Sequence, residues 1–198
     1  MAYIFIKSQT ADDDAAVTFV HGTSDVVFDS TYKEYLFTYV DYRPSTDERQ
    51  LHFQVDVSGA TTYGQNATTA TAYAGQAENA GWNSSGGFNP DTSQGNNTDK
   101  IKLIYSGETD HAGYSANGQL RFFDPSGGTH MKMWDNRAVL NYTNSGHTAL
   151  GTYIIDYYSS GYIHQTSALT TVQFVAATSF GSTSGNISTG IFTLYGIT

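Results

Sequence analysis

The chain has 198 residues and a formal net charge of -9, with 9 Lys and Arg set against 18 Asp and Glu. A chain of this length supports one domain that buries roughly 70% of its unfolded surface, and with 0 Cys it has no disulfide framework, thiolate zinc cluster or thiol nucleophile. Its few cations are scattered. Nucleic-acid affinity needs clustered Lys and Arg that displace counterions, so no nucleic-acid partner is expected.

Met1 to Lys7 holds one cation and an apolar run shorter than a secretory core. No stretch reaches bilayer-spanning length, and the expectation is a chain made soluble inside a cell, with no membrane partner. Asp12-Asp13-Asp14 reads as a solvated acidic turn before Ala15 to Val20. It lacks the alternating oxygen donors and closing bidentate acid of a calcium loop. Glu34 to Tyr42 carries Tyr35, Phe37 and Tyr39 on one face and Leu36, Val40 and Tyr42 on the other. A strand apolar on both sides is either central and covered by loops or covered by a partner subunit. In Gln50 to Val57, Leu51, Phe53, Val55 and Val57 alternate with Gln50, His52, Gln54 and Asp56, a period of 2 that predicts a half-buried strand.

Residues 59–99 differ in composition, being rich in Ala, Thr, Gly, Asn and Ser, with Tyr73, Trp82 and Phe88 as nearly their only large side chains. They read as a long decorated excursion from one domain spanning 1–198, with room for one or two short strands. Long excursions are usually functional or disordered. Lys100 to Tyr105 alternates again. Asn117-Gly118, Asp124-Pro125 with Gly127-Gly128, Ser160-Gly161 and Gly185-Asn186 are turn signals. Met131 and Met133 flank Lys132 in a strand-like pattern. Tyr153 to Tyr158 is a second segment apolar on both sides, and Val172, Phe174 and Ala176 mark a late strand. Many short strands with frequent turns predict an all-β, antiparallel, jelly-roll-like sandwich.

No constellation for chemistry emerges, and the expectation is a protein that is not an enzyme, with no catalytic residues, metal or cofactor. His21, His52, His111, His130, His147 and His164 are widely separated and lack metal-ligand spacing. Gly113-Tyr114-Ser115-Ala116-Asn117 lacks the closing Gly of a nucleophile elbow and runs into the Asn117-Gly118 turn signal. The Asp residues show no pairing from which a glycosidase could be read.

Four segments carry a resemblance: Ser30 to Phe37 followed by Gln50 to Val57; Gly118 to Pro125 (GQLRFFDP); Gly161-Tyr162-Ile163 with Thr166 to Phe174; and the ending Gly190 to Ile197, which closes on LYGI. In this order they resemble a family of small β-sandwich virion structural proteins, tail-fibre-like or capsid decoration, of tailed phages of marine and freshwater bacteria. The resemblance covers both ends of the chain and leaves 59–99 unmatched. It implies a sandwich that assembles on the exterior of a phage particle, usually as a homotrimer.

The leading expectation is therefore a bacteriophage virion structural protein, an exterior capsid decoration protein whose partners are itself and the major capsid protein or tail proteins. In that reading Tyr35, Phe37, Tyr39, Tyr153 and Tyr157 form the oligomer interface. The alternative is a tail-associated module in which Tyr73, Trp82 and Phe88 present rings to a host surface glycan; a depolymerase is the weakest reading.

Overall fold

A computed structural model describes residues 2–59, 63–78, 86–88, 100–105, 113–142, 153–178 and 184–198, and the side chains of all but 71–78, 86–88, 142, 153 and 184. The described residues hold thirteen strands and no helix: β1 (Tyr3–Asp14), β2 (Val17–Val20), β3 (Glu34–Pro44), β4 (Gln50–Asp56), β5 (Ala67–Glu78), β6 (Gly86–Phe88), β7 (Ile101–Lys102), β8 (Ala116–Phe123), β9 (Lys132–Tyr142), β10 (Tyr153–Ile163), β11 (Thr171–Ala177), β12 (Ser184–Gly185) and β13 (Ile187–Ile197). Eight form one antiparallel sheet in the order β1-β13-β3-β8-β9-β10-β5-β6. Five belong to a second, β12-β11-β4-β7 with β2 also on β11. The two sheets pack face to face, and the chain is a β-sandwich, as its alternation and turn spacing predict.

Aromatic rings join the layers. Phe37 of the large sheet meets Phe19 and Phe174 of the small one at ring-centroid distances of 5.2 and 5.4 Å. Phe53 meets Phe122 and Trp134 at 5.5 and 5.1 Å, and Phe174 meets Phe192 at 5.1 Å. Most of these contacts are edge to face, the arrangement that the ring quadrupole favours.

Three local readings need correction. Asn117-Gly118 and Ser160-Gly161 are not turns, because both lie inside long strands, β8 and β10. Their glycines make room instead. A Cβ on Gly118 would meet the Tyr39 hydroxyl and would lie 2.6 Å from the Arg137 carbonyl oxygen, while one on Gly161 would meet the Thr68 carbonyl and lie 2.9 Å from the Trp134 ring. A strand glycine of this kind marks close approach, not a bend. The Met-Lys-Met segment is inverted as well: Met133 is 59% exposed while Lys132 is buried, its ammonium donating to the Gly127 carbonyl. Lys132 shares the parity of Trp134, Asn136, Ala138 and Leu140, all buried, and the core fixes the register.

The half-buried strand at Gln50 is buried on both faces, since every residue of β4 is buried. It lies between β11 and β7, and part of its polar side is bonded across strands. Gln54 Nε2 donates to Gln173 Oε1 at 2.6 Å, and Gln173 Nε2 donates to Thr18 Oγ1 at 2.8 Å, a ladder over β4, β11 and β2. The excursion at 59–99 contributes more than short strands. β5 runs for 12 residues and pairs with β10 from Tyr153 to Ile163, so it is an integral part of the large sheet.

Candidate binding and assembly surface

The residues assigned to an oligomer interface by sequence are mostly in the core. Tyr35, Phe37, Tyr39 and Tyr157 are each 0% exposed within the single chain and have no surface to offer a partner. Tyr153 sits on β10 opposite Glu78 and Tyr142, with its side chain outside the described residues. The apolar residues on the second face of β3 and β10 point outward. Val40, Ile154 and Tyr158 are exposed, Leu36 is covered, and Tyr42 has crossed to the core.

That crossing has a local cause. The β3–β8 register shifts between Tyr39 and Tyr42, where Asp41 adopts a φ of 54°. Asp tolerates this left-handed conformation better than most residues, and the Asn117 Oδ1 accepts the Asp41 N–H at 2.9 Å. The extra residue of the bulge reverses inside and outside along β3, and it bends the sheet above Gly118.

The outer face of the large sheet is organised in cross-strand rows. One row runs Thr193, Thr38, Gln119, Arg137, Tyr158; beyond it Ile191 pairs with Val40, and Asn117, Val139 and Asp156 pair in turn, the two groups meeting at the β3 bulge. Between these rows lies an open hollow of about 420 Å³, walled by Thr38, Val40, Asn117, Gln119, Arg137 and Val139, with Tyr39 and Gly118 as its floor. Arg137 is anchored at its rim. Its Nη2 and Nε donate to the two Asp156 carboxylate oxygens at 2.8 and 3.2 Å, and its guanidinium lies 5.2 Å from the Tyr158 ring centre. The Tyr158 hydroxyl donates to the same carboxylate at 2.8 Å. The Arg137 hydrogen bond holds the Asp156 carboxyl below the usual carboxylate range, and the bond to Asp156 pushes the Tyr158 phenol up. Farther along the face Arg121 lies between Asp135 at 2.8 Å and Glu34 at 3.5 Å, with Phe123 under its guanidinium.

β1 is the edge strand of the large sheet, and its N-terminal end is the most apolar exposed segment described. Tyr3 and Phe5 are 59 and 62% exposed on the outer face, where both meet the Tyr195 ring edge-on. Ile4, on the opposite face, is 41% exposed. The sequence signal was present, because Tyr3-Ile4-Phe5-Ile6 is apolar on both faces in the same sense as Glu34 to Tyr42. The hollow was masked by the reading of Asn117-Gly118 as a turn.

The proposed glycan residues are only partly placed. Tyr73 lies opposite Tyr157 and Gly87, and Phe88 lies opposite Ala72. The side chains of both, and the whole of Trp82, fall outside the described residues. Of the histidines, His52 is fully buried with Nδ1 at 3.1 Å from the Gln50 carbonyl, His21 Nδ1 accepts from the Phe28 N–H, and His164 meets Thr68 Oγ1. His111 and His147 lie outside the described residues. Among those described, no group of three or more His, Asp or Glu is placed to hold a metal ion. No protein-family model, curated protein or solved structure matches the chain.

Proposed function

We propose that the chain is a non-catalytic structural protein of the exterior of a tailed-phage particle, an acidic capsid-decoration block that assembles as a homotrimer. The observation that carries assembly is the start of β1. A free strand edge presents unpaired backbone groups, and soluble proteins blunt such edges with charge, proline, bulges or a cover. On β1 the register shift between Phe5 and Lys7 and the acidic run Asp12 to Asp14 protect the rest of the strand. Among the described residues, nothing of this kind protects Tyr3, Ile4 and Phe5.

A neighbouring copy laid against this edge would bury both faces of the strand together with Tyr195. A head-to-tail contact of this kind closes into a ring when its rotation permits. The virion setting rests on the ordered resemblance of the four segments named above. Position on the capsid is favoured because a compact acidic block fits over junctions between capsid subunits, where it adds buried area without touching DNA. On the outer face Arg121 is paired with Asp135 and Glu34, and Arg137 with Asp156, which suits a passive surface. Immuno-gold labelling of intact particles tests the reading. Gold over heads is expected, gold on tails alone would move the position, and particles without label would end the virion assignment.

A further inference from the structure

We propose that the hollow above Gly118 is a binding site for a neutral saccharide of one or two rings. The hollow, of about 420 Å³, is shallow and open, so a ligand would lie on it with one face in water. Its floor is main chain already paired in the β3–β8 and β8–β9 ladders. An extended peptide therefore has no open edge to join there, since strand addition needs unpaired backbone groups.

Charge selects against ionic ligands. Arg137 is the only cation in the wall, and its guanidinium is held by Asp156 through two nitrogens. An anion would have to compete with that carboxylate in a chain of net charge -9. A free cation finds the Asp156 oxygens occupied by Arg137 and Tyr158.

What remains is neutral hydrogen-bonding capacity. The Thr38 hydroxyl and the Gln119 amide make no side-chain hydrogen bond among the described residues. The Asn117 amide is oriented by the Asp41 N–H, with only a 3.5 Å contact from its Nδ2 to Ser115. Hydroxyl and amide groups on two adjacent strands, Thr38 on β3 and Asn117 and Gln119 on β8, both donate and accept, as adjacent sugar hydroxyls do. Exposed Val40 and Val139 supply apolar wall for the C–H face of a sugar ring. Groups fixed on strands lose little freedom when a ligand binds.

The site does not depend on the virion assignment, and the test uses the isolated full chain. Backbone amide spectra are recorded while glucose, galactose, mannose, N-acetylglucosamine and their disaccharides are added, with glucuronate and glucosamine as charged comparators. The amides of Thr38, Gly118, Gln119 and Arg137 are expected to shift with at least one neutral sugar and to saturate by roughly ten millimolar, as a millimolar Kd requires. Gln119→Ala and Thr38→Ala should each weaken binding about fivefold, the worth of one hydrogen bond, with the rest of the spectrum unchanged. Absence of shifts with every neutral sugar, shifts confined to other residues, full affinity in both variants, or tighter binding of glucuronate or glucosamine would each overturn the proposal.

Discussion

The Tyr39 hydroxyl on β3 donates a 2.8 Å hydrogen bond to Asn136 Oδ1 on β9, reaching across β8 at the one place where that strand has no side chain, Gly118. Asn136 in turn donates from Nδ2 to the Leu103 carbonyl at 2.9 Å and to Ser159 Oγ at 3.1 Å. One buried amide thus joins the large sheet to the segment that follows β7. Gly118→Ala places a methyl against the Tyr39 ring and the Arg137 main chain, and the latter cannot rotate away. A loss of about 1–3 kcal/mol is expected from overpacking. Tyr39→Phe leaves a buried acceptor unpaired and should cost about 1–3 kcal/mol. Denaturant unfolding checks both, and a neutral Gly118→Ala would contradict the close approach of Tyr39 and the Arg137 main chain to that glycine.

Lys132 and Met133 make the inverted parity of β9 testable. Met133→Ser, on the exposed face, should change stability by less than about 0.5 kcal/mol. Trp134→Ala, whose ring packs on Phe53, should cost about 3–5 kcal/mol. Comparable losses at the two positions would contradict the register.

His52 gives the fold an acid sensitivity. Burial, and next the Lys102 ammonium, depress its pKa to about 3 from an ordinary value of 6.5. The unfolded chain therefore binds a proton between about pH 6.5 and pH 3 that the folded chain refuses. Stability contributed by the neutral imidazole is fully present above 6.5 and falls as the pH drops through that window, by at most about 1.4 kcal/mol per pH unit for one group. His52→Gln should flatten this part of the stability curve. An unchanged acid slope in a folded variant would show that His52 is not its source.

The alternation of Leu51, Phe53 and Val55 was readable because side chains alternate in a strand whatever surrounds it, and the same holds for Val172, Phe174 and Ala176. What covers a strand is not local. His52 and Gln54 have the composition of a solvent face, yet both are buried, and the Gln54 amide nitrogen finds its acceptor, Gln173, in the next strand. Gly118 and Gly161 misled for a related reason, since the rings they accommodate, Tyr39 and Trp134, belong to other strands. The bulge at Asp41 cannot be seen in a period-2 pattern, and it is what sends Tyr42 inward. Tyr35, Phe37, Tyr39 and Tyr157 lie on the face of their strands that the sandwich itself covers, and a pattern apolar on both sides does not say which face that is. In a sandwich one of those faces is the core.

The proposed assembly of the chain runs through the start of β1. Sedimentation velocity of the isolated protein at micromolar concentration tests it, run beside Phe5→Glu, which places a charge on an exposed position of that edge. The wild type should sediment at the mass of a trimer and the variant as a monomer, with matching far-UV circular dichroism. A monomeric wild type, or a variant that trimerises unchanged, would contradict it.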